Sequence, residues 1–472
     1  MSEYRVINPA TGEKGVTSRV TSADEISGLI RAADLASRSW RELPITQRAQ
    51  VLRDVAQLFR ERCEMLADLI VAEIGRPRRA ARREPDVAAR IFDYYADHAD
   101  ELLEDRPLHS PRGPARVKLE PVGAVLGIMP WNYPYYQVAR FAAPNLLLGN
   151  AVLLKHAPNC PDSAAAIYDI IAATAAPRGL YTALYTSNEV TAQVIAHPFV
   201  RGVSLTGSER AGRAVAELAG RHLKKCVLEL GGSDALIVLD AASVGGAVVD
   251  GMTARMSNSG QTCTAPKRMI VVDAAYDDFV AAAAEAARNT VTGDPRSENT
   301  DMGPLSSESA AAEVAAQIDD ALAQGAQLVA GGHREGTWVE PTVLTGIGPG
   351  MRVWAEEIFG PVLSVIRFRD LEEAFRINNE VRYGLSSALY TRDNNAAFRA
   401  MVELDNGITY VNAPTIGAEA HLPFGGVKQT GNGHREGGWE VYEFYSETKV
   451  CYIDYSGRLQ RAQIDNYAAG PY

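Results

Sequence analysis

Val122-Gly-Ala-Val-Leu-Gly-Ile-Met-Pro-Trp-Asn-Tyr-Pro134 opens the part of the chain that decides the fold. An apolar run ends in a proline-stiffened polar turn, and from here the rhythm becomes strand, turn, helix. Short apolar runs follow at 151–154, 182–185, 203–205, 226–230 and 235–239, several of them separated by alanine-rich helical stretches. That alternation predicts a parallel sheet with helices on its faces. A second section repeats it, with strands predicted at 269–272, 362–368, 387–390 and 408–411 and helices at 276–289 and 310–324. Two α/β domains are therefore expected.

Upstream, the first 105 residues read as mostly helical. Ile26, Leu29, Ile30 and Ala33 recur at helical spacing behind a Ser22-Ala-Asp cap, and Val51, Val55, Leu58 and Phe59 repeat the pattern. The stretch from Pro107 to Pro114 reads as a break or the approach to a hairpin. Downstream, Glu447-Thr-Lys-Val-Cys-Tyr-Ile-Asp-Tyr455 reads as an extended strand without a nearby hairpin partner. Such a strand is expected to pair elsewhere in the chain or with another subunit.

The 472 residues are ample for a large core and suggest about three domains at roughly 150 residues each. A hydrophobic fraction of 46% and a charged fraction of 22% exclude a disordered, collagen-like or coiled-coil chain. Acidic residues outnumber basic ones by 58 to 47, which argues against general nucleic-acid binding. The five cysteines are scattered and form no CxxC pair, so neither a disulfide framework nor a metal site is expected. The opening residues carry no apolar leader, and no apolar run approaches the ~20 residues of a membrane span. A reduced, cytoplasmic enzyme is the expectation. The arginine run at 76, 78, 79, 82 and 83 reads as a solvated helix face or a subunit contact.

Four stretches carry candidate chemistry. Cys263 sits in Asn258-Ser-Gly-Gln-Thr-Cys-Thr-Ala-Pro266, a polar loop between a helix and a strand. A thiol there is accessible, and backbone N–H groups stabilise its thiolate. Cys63, Cys160 and Cys226 lie in a helix or beside apolar segments and read as buried structural thiols. Glu229 ends the apolar run of Val227-Leu-Glu-Leu-Gly-Gly232, where ligands gather in an open α/β sheet. A partly desolvated carboxylate there serves as a general base or caps the next turn. Asn132 offers an uncharged N–H donor on a stiff turn, which suits an oxyanion hole. Leu205-Thr-Gly-Ser-Glu-Arg-Ala-Gly212 reads as strand, turn and helix start, a place for a pyrophosphate. The dinucleotide fingerprint GxGxxG is missing from the first strand–helix turn.

In this order the motifs resemble the NAD(P)-dependent aldehyde dehydrogenases. The resemblance rests on Pro130-Trp-Asn-Tyr-Pro, Lys155, Thr206-Gly-Ser, Leu228-Glu-Leu-Gly-Gly, Gly260-Gln-Thr-Cys, Glu356-Glu-Ile-Phe-Gly-Pro-Val and Pro423-Phe-Gly-Gly-Val-Lys, and runs from the Asn8-Pro-Ala-Thr-Gly opening to the region of Lys449. It implies that Cys263 is the nucleophile, Glu229 the base for the deacylating water, and Asn132 an oxyanion donor alongside the Cys263 N–H. It further implies that Lys155 binds the adenosine ribose, Gly207 and Ser208 the pyrophosphate, and Glu357 the nicotinamide ribose. Phe359 would pack near that ring, with Ile128, Trp131 and Leu230 also on the cofactor face. The implied subunit has a Rossmann-like cofactor domain (1–107 and 121–229), a catalytic domain (230–431) and a small β oligomerisation unit (108–120 and 445–472), and forms a homodimer or homotetramer.

Two departures bear on cofactor and substrate. Pro158 stands three residues after Lys155, where many relatives have an acid, and Arg210 falls where many have another. Loss of the acid and gain of a cation imply that NADP is accepted, alone or together with NAD. Arg140, eight residues after Asn132, resembles the carboxylate-binding arginine of the succinate-semialdehyde branch, with Tyr136 beside it; its bland reading is a structural ion pair. Against that branch, Ser257 replaces a second arginine and Glu419 lies in a loop lacking the usual serine. Tyr133, Tyr135 and Tyr136 alternatively line a tunnel for an aromatic or medium-chain aldehyde. Acylation of coenzyme A is the remaining alternative, disfavoured by Glu229.

Overall fold

A computed structural model describes residues 3–108, 113–417 and 419–455. The His109-Ser110 part of the expected break and the tail beyond Tyr455 lie outside the described residues. The helical opening is as expected. Helix Ala23–Trp40 starts at a capping box in which the Glu25 carboxylate accepts from the Ser22 N–H and Oγ, both at 2.9 Å. Its Ile26, Ile30 and Ala33 are buried, as are Val51, Val55 and Phe59 of helix Ile45–Glu61.

The first sheet has five parallel strands in the spatial order Tyr181–Ala183, Ala151–His156, Ala124–Met129, Val200–Thr206, Lys225–Glu229. The strand Ala151–His156 is buried at every residue, because helices cover both faces of a parallel sheet. The chain builds outward from Ala124–Met129 in one direction, then crosses back to build the other side. The order therefore reverses between Ala124–Met129 and Val200–Thr206. A crevice opens there at the strand C-termini, where an open α/β sheet binds ligands. Asn132 and Gly207-Ser208 follow the two strands that flank it.

The second sheet has seven strands in the order Gln327–Ala330, Thr342–Thr345, Val362–Phe368, Arg268–Val272, Ala235–Val238, Ser386–Tyr390, Ile408–Val411. Its neighbours run parallel except for the first pair, which is antiparallel. Two of these strands, Gln327–Ala330 and Thr342–Thr345, are additional to those expected from the sequence. The expected helices are present at Tyr276–Asn289 and Glu308–Ala323.

The third sheet is antiparallel and joins Arg106–Leu108, Ala115–Pro121 and Ser446–Tyr452. The C-terminal strand thus pairs within its own chain, from Ser446 opposite Pro121 to Tyr452 opposite Ala115. Val450 and Tyr452 on this edge strand, with Ile453 and Tyr455 beyond it, are exposed.

Candidate active site

The turn after Ala124–Met129 is held from below by a buried ion pair. The Arg76 guanidinium donates to Glu84 Oε2 at 2.5 Å, to Asn258 Oδ1 at 3.0 Å and to the Asn132 carbonyl. It also lies 4.2 Å from the centroid of the Tyr133 ring. The second Glu84 oxygen accepts the N–H groups of Tyr135 and Tyr136 at 2.8 and 3.0 Å, capping the helix Tyr136–Leu148. Arg76 therefore departs from the solvated reading of the arginine run. Arg78, Arg79 and Arg82 do make surface ion pairs, with Glu64, Asp68, Asp301 and Glu298. Arg76→Met leaves Glu84 buried without its partner and should cost about 3–5 kcal/mol of stability. Chemical denaturation of the variant checks this; a loss below about 1 kcal/mol would show that the pair is dispensable.

The nucleophile loop is bent by three successive left-handed residues, Asn258, Ser259 and Gly260, at φ 51°, 54° and 75°. Glycine is required at the third, since a Cβ there would lie 2.1 Å from the Gly360 carbonyl oxygen. The two non-glycine residues are buried and held by side-chain hydrogen bonds. Asn258 Nδ2 donates to the Asn132 carbonyl at 2.9 Å, and Ser259 Oγ donates to the Gly303 carbonyl at 2.8 Å. Asn132 Nδ2 donates to the Gln261 carbonyl at 3.0 Å, which ties Asn132 to the loop that carries Cys263. The Thr262 and Tyr133 hydroxyls meet at 3.0 Å. Cys263 itself is half-buried. Burial pushes its thiol up to about 11, while the Lys267 and Arg140 cations pull it back down.

Glu229 ends the last strand of the first sheet and is buried. Among the described residues neither of its carboxylate oxygens has a hydrogen-bond partner, so it does not cap the next turn. Burial raises its pKa well above the usual carboxylate range; the Arg140 charge opposes this and the Glu436 charge adds to it. A carboxylate in that state is a competent general base for water.

Arg140 is buried, and its charge acts on both Glu229 and Cys263. Its Nε donates to Glu436 Oε2 at 2.9 Å, and its guanidinium sits 4.3 Å from the Phe424 ring centroid. Glu436 also accepts from Ser204 Oγ at 2.5 Å and the Tyr445 hydroxyl at 3.2 Å. The ion-pair reading of Arg140 thus holds, yet its buried Nη1 has no partner among the described residues. Tyr136, Glu419 and Phe424 share its cleft. Tyr135 does not line a tunnel. It is fully buried, and its hydroxyl donates to the Leu66 carbonyl at 3.0 Å.

The residues expected to bind a cofactor lie at the crevice and on the facing domain. Lys155 is buried, and no hydrogen bond or ion pair reaches its ammonium among the described residues; it lies 5.8 Å from the Tyr4 ring centroid. Burial lowers its pKa. An orphaned buried cation at a strand C-terminus fits a polar or anionic ligand. Ile128 stands between Lys155 and Leu205 in the sheet. Gly207 N–H donates to the Glu229 carbonyl at 2.9 Å, tying the turn to the end of the neighbouring strand. Ser208 caps the helix Glu209–Arg221 by accepting from Ala211 N–H, so its hydroxyl is engaged in the cap and its turn offers main-chain donors. Arg210 is exposed and has no carboxylate partner among the described residues, whereas its neighbour Glu209 pairs with Arg213 and Arg382. Leu230 packs against Gly212, where a Cβ would lie 2.6 Å from Leu230 Cδ2.

From the second domain, the Phe359 ring meets Trp131 edge to face at 5.8 Å, and Glu357 Oε1 accepts from Gly232 N–H at 3.1 Å. Arg255, fully buried, holds this segment through the carbonyls of Ile358, Gly360 and Val362. Arg76, Glu84, Arg255, Lys267 and Glu436 escaped the sequence reading. The signal for Arg76 was its place immediately after Gly75, a left-handed helix C-cap, rather than within a helix face. Among the described residues no group of three or more His, Cys, Asp or Glu side chains is placed to hold a metal ion, and no helix is long and apolar enough to cross a membrane.

Acylating a thiol and then hydrolysing the product would need a nucleophile, an oxyanion donor and a desolvated base, and Cys263, Asn132 and Glu229 are the candidates for those parts. The chain belongs to the aldehyde dehydrogenase family, whose model matches residues 1–451. It is 48% identical over 450 residues to a succinate-semialdehyde dehydrogenase [NADP(+)] of Deinococcus radiodurans, covering 95% of this chain and 94% of the relative. It is 38% identical to the succinate semialdehyde dehydrogenase [NAD(P)+] Sad of Escherichia coli, covering 93% and 95%. Among solved structures it resembles succinic semialdehyde dehydrogenase from Streptococcus pyogenes in complex with NADP+, at a TM-score of 0.93 and 36% identity over 96% of this chain and all of that one.

Proposed function

We propose that this chain oxidises succinic semialdehyde to succinate with NADP as the preferred hydride acceptor. The observation that carries the substrate is Arg140: a buried guanidinium with one unpartnered nitrogen, whose charge acts on both Cys263 and Glu229. The names of the relatives support the same reading. The cofactor is supported by the orphaned Lys155 ammonium, the main-chain donors at Gly207-Ser208, and the free Arg210 cation, which suits a 2′-phosphate. Glu357 and Phe359 would hold the nicotinamide end. When bound, the nicotinamide supplies the hydride acceptor.

The chain's own residues supply the rest. The Cys263 thiolate adds to the aldehyde carbon, and the carbonyl electron pair moves to oxygen. The Asn132 amide and the Cys263 N–H hold that oxyanion. Loss of hydride leaves a thioester on Cys263. Glu229 takes a proton from water as the water oxygen attacks the thioester; the C–S bond breaks and the acid leaves. A desolvated base such as Glu229 favours transfer to water over transfer to coenzyme A.

The test is kcat/KM for succinic semialdehyde, benzaldehyde and hexanal, each with NADP and with NAD. Succinic semialdehyde with NADP should rank first. A charge-assisted contact is worth roughly 1.5–3 kcal/mol, so Arg140→Ala should lower kcat/KM for succinic semialdehyde about 10- to 100-fold. Neutral aldehydes of similar length should lose far less. An equal loss for all would assign Arg140 a structural role alone, and a wild-type preference for benzaldehyde or hexanal would reject the substrate.

The exposed edge strand Ser446–Tyr452 supports association with a second copy, as a homodimer or homotetramer. The described cysteines are all free, which suits the reducing cytoplasm.

A further inference from the structure

Lys267 is fully buried beneath the nucleophile loop. Its ammonium donates to the carbonyl of Cys263 itself and to that of Thr262 at 3.3 Å. On its other side Glu357 Oε1 lies 3.8 Å away. One cation therefore touches the main chain of the nucleophile and the carboxylate assigned to the nicotinamide ribose. The charged groups around it are few. Asp234 and Glu357 are the acids, Arg255 is a second buried cation, and Cys263 is the thiol. Asp234 is committed to Ser386, whose Oγ donates to Oδ2 at 2.5 Å. Arg255 is committed to three carbonyls of the 358–362 segment.

We propose that Lys267 is a positioning residue that links the cofactor to the nucleophile: it fixes the Cys263 loop by two carbonyls, and it acts more strongly on the thiol when Glu357 turns its charge to the cofactor. The second half rests on Glu357 binding the nicotinamide ribose. Without cofactor, the Glu357 charge cancels part of the Lys267 field. Lys267 and Arg140 favour the Cys263 thiolate, whereas Asp234 and Glu357 disfavour it. Of these four, Glu357 is the carboxylate assigned to a cofactor hydroxyl. Engaging it there leaves the ammonium less neutralised and the thiol easier to ionise.

The test is the pH profile of iodoacetamide alkylation at Cys263, followed by mass spectrometry of its peptide, with and without NADP and in the absence of aldehyde. Wild type should show a midpoint that falls by about one pH unit when NADP is added. Lys267→Met should raise the midpoint without NADP and abolish the NADP-induced fall, whereas Lys267→Arg should retain most of it. Glu357→Gln should lower the midpoint without NADP, because an opposing charge is gone. A Lys267→Met profile equal to wild type overturns the proposal. If that variant does not fold, an unshifted Glu357→Gln profile overturns it instead. NADP titration of Glu357→Gln by fluorescence separates the two readings. Unchanged affinity rejects Glu357 as a cofactor ligand and with it the linkage, while a raised midpoint in Lys267→Met without NADP still upholds the Lys267 effect on the thiol.

Discussion

Cys263→Ala should lower aldehyde oxidation at least about 10⁴-fold while leaving NADP affinity close to that of the wild type. The magnitude follows from removing a covalent nucleophile, whose loss in other enzymes leaves only the rate contributed by binding and oxyanion donors. Its selectivity follows from position. Cys263 lies in the loop before Arg268–Val272, whereas Lys155 and the Gly207-Ser208 turn belong to the first sheet. Alanine also leaves the Gln261 carbonyl, and hence the contact from Asn132, in place. Initial rates at 340 nm and a fluorescence titration with NADP decide it. Turnover within tenfold of wild type would mean that another group attacks the aldehyde.

Glu229→Gln should separate the two half-reactions. Hydride transfer still follows thiol addition, so one equivalent of reduced cofactor per site should appear in a burst. Steady turnover should then fall about 10²- to 10⁴-fold, the usual worth of a general base. The base must be ionised to take a proton from water, and burial raises its pKa. As pH falls through that raised value, deacylation slows, so the acid limb of kcat lies above the ordinary glutamate range. Glutamine should erase that limb. Rapid-mixing kinetics across pH check both statements; a variant with wild-type turnover and an unaltered limb would assign the water to another base.

The sequence exposed most of the fold because period and punctuation agree there. The strand Ala124–Met129 and its proline-stiffened turn follow local rules, and so does the Ser208 cap. The strands Gln327–Ala330 and Thr342–Thr345 were missed because they pair antiparallel with no helix between them, outside the strand–turn–helix alternation. Of the candidate site, Glu229 was singled out by its place at a strand C-terminus. Cys263 obeys no such rule, since it precedes its strand, and was proposed from its polar loop and the family motif. The supporting charges were invisible for a different reason. Arg76 looks like its solvated neighbours in sequence, and what buries it is Asn132 and Asn258, which approach from distant parts of the chain, together with Glu84 eight residues on. Glu436 reaches Arg140 across the same kind of separation.

The pairing of Ser446–Tyr452 with Ala115–Pro121 has a kinetic consequence. It joins the C-terminal strand to one that precedes the whole of the first sheet, so both parallel sheets lie inside the loop it closes. Contacts of such high sequence separation bear the entropy of loop closure before they gain anything, and they form late. The three-stranded sheet should therefore be the last element to lock during folding. Any surface built upon it exists only on chains whose two domains are already in place, so a partly folded chain has nothing to offer a second copy.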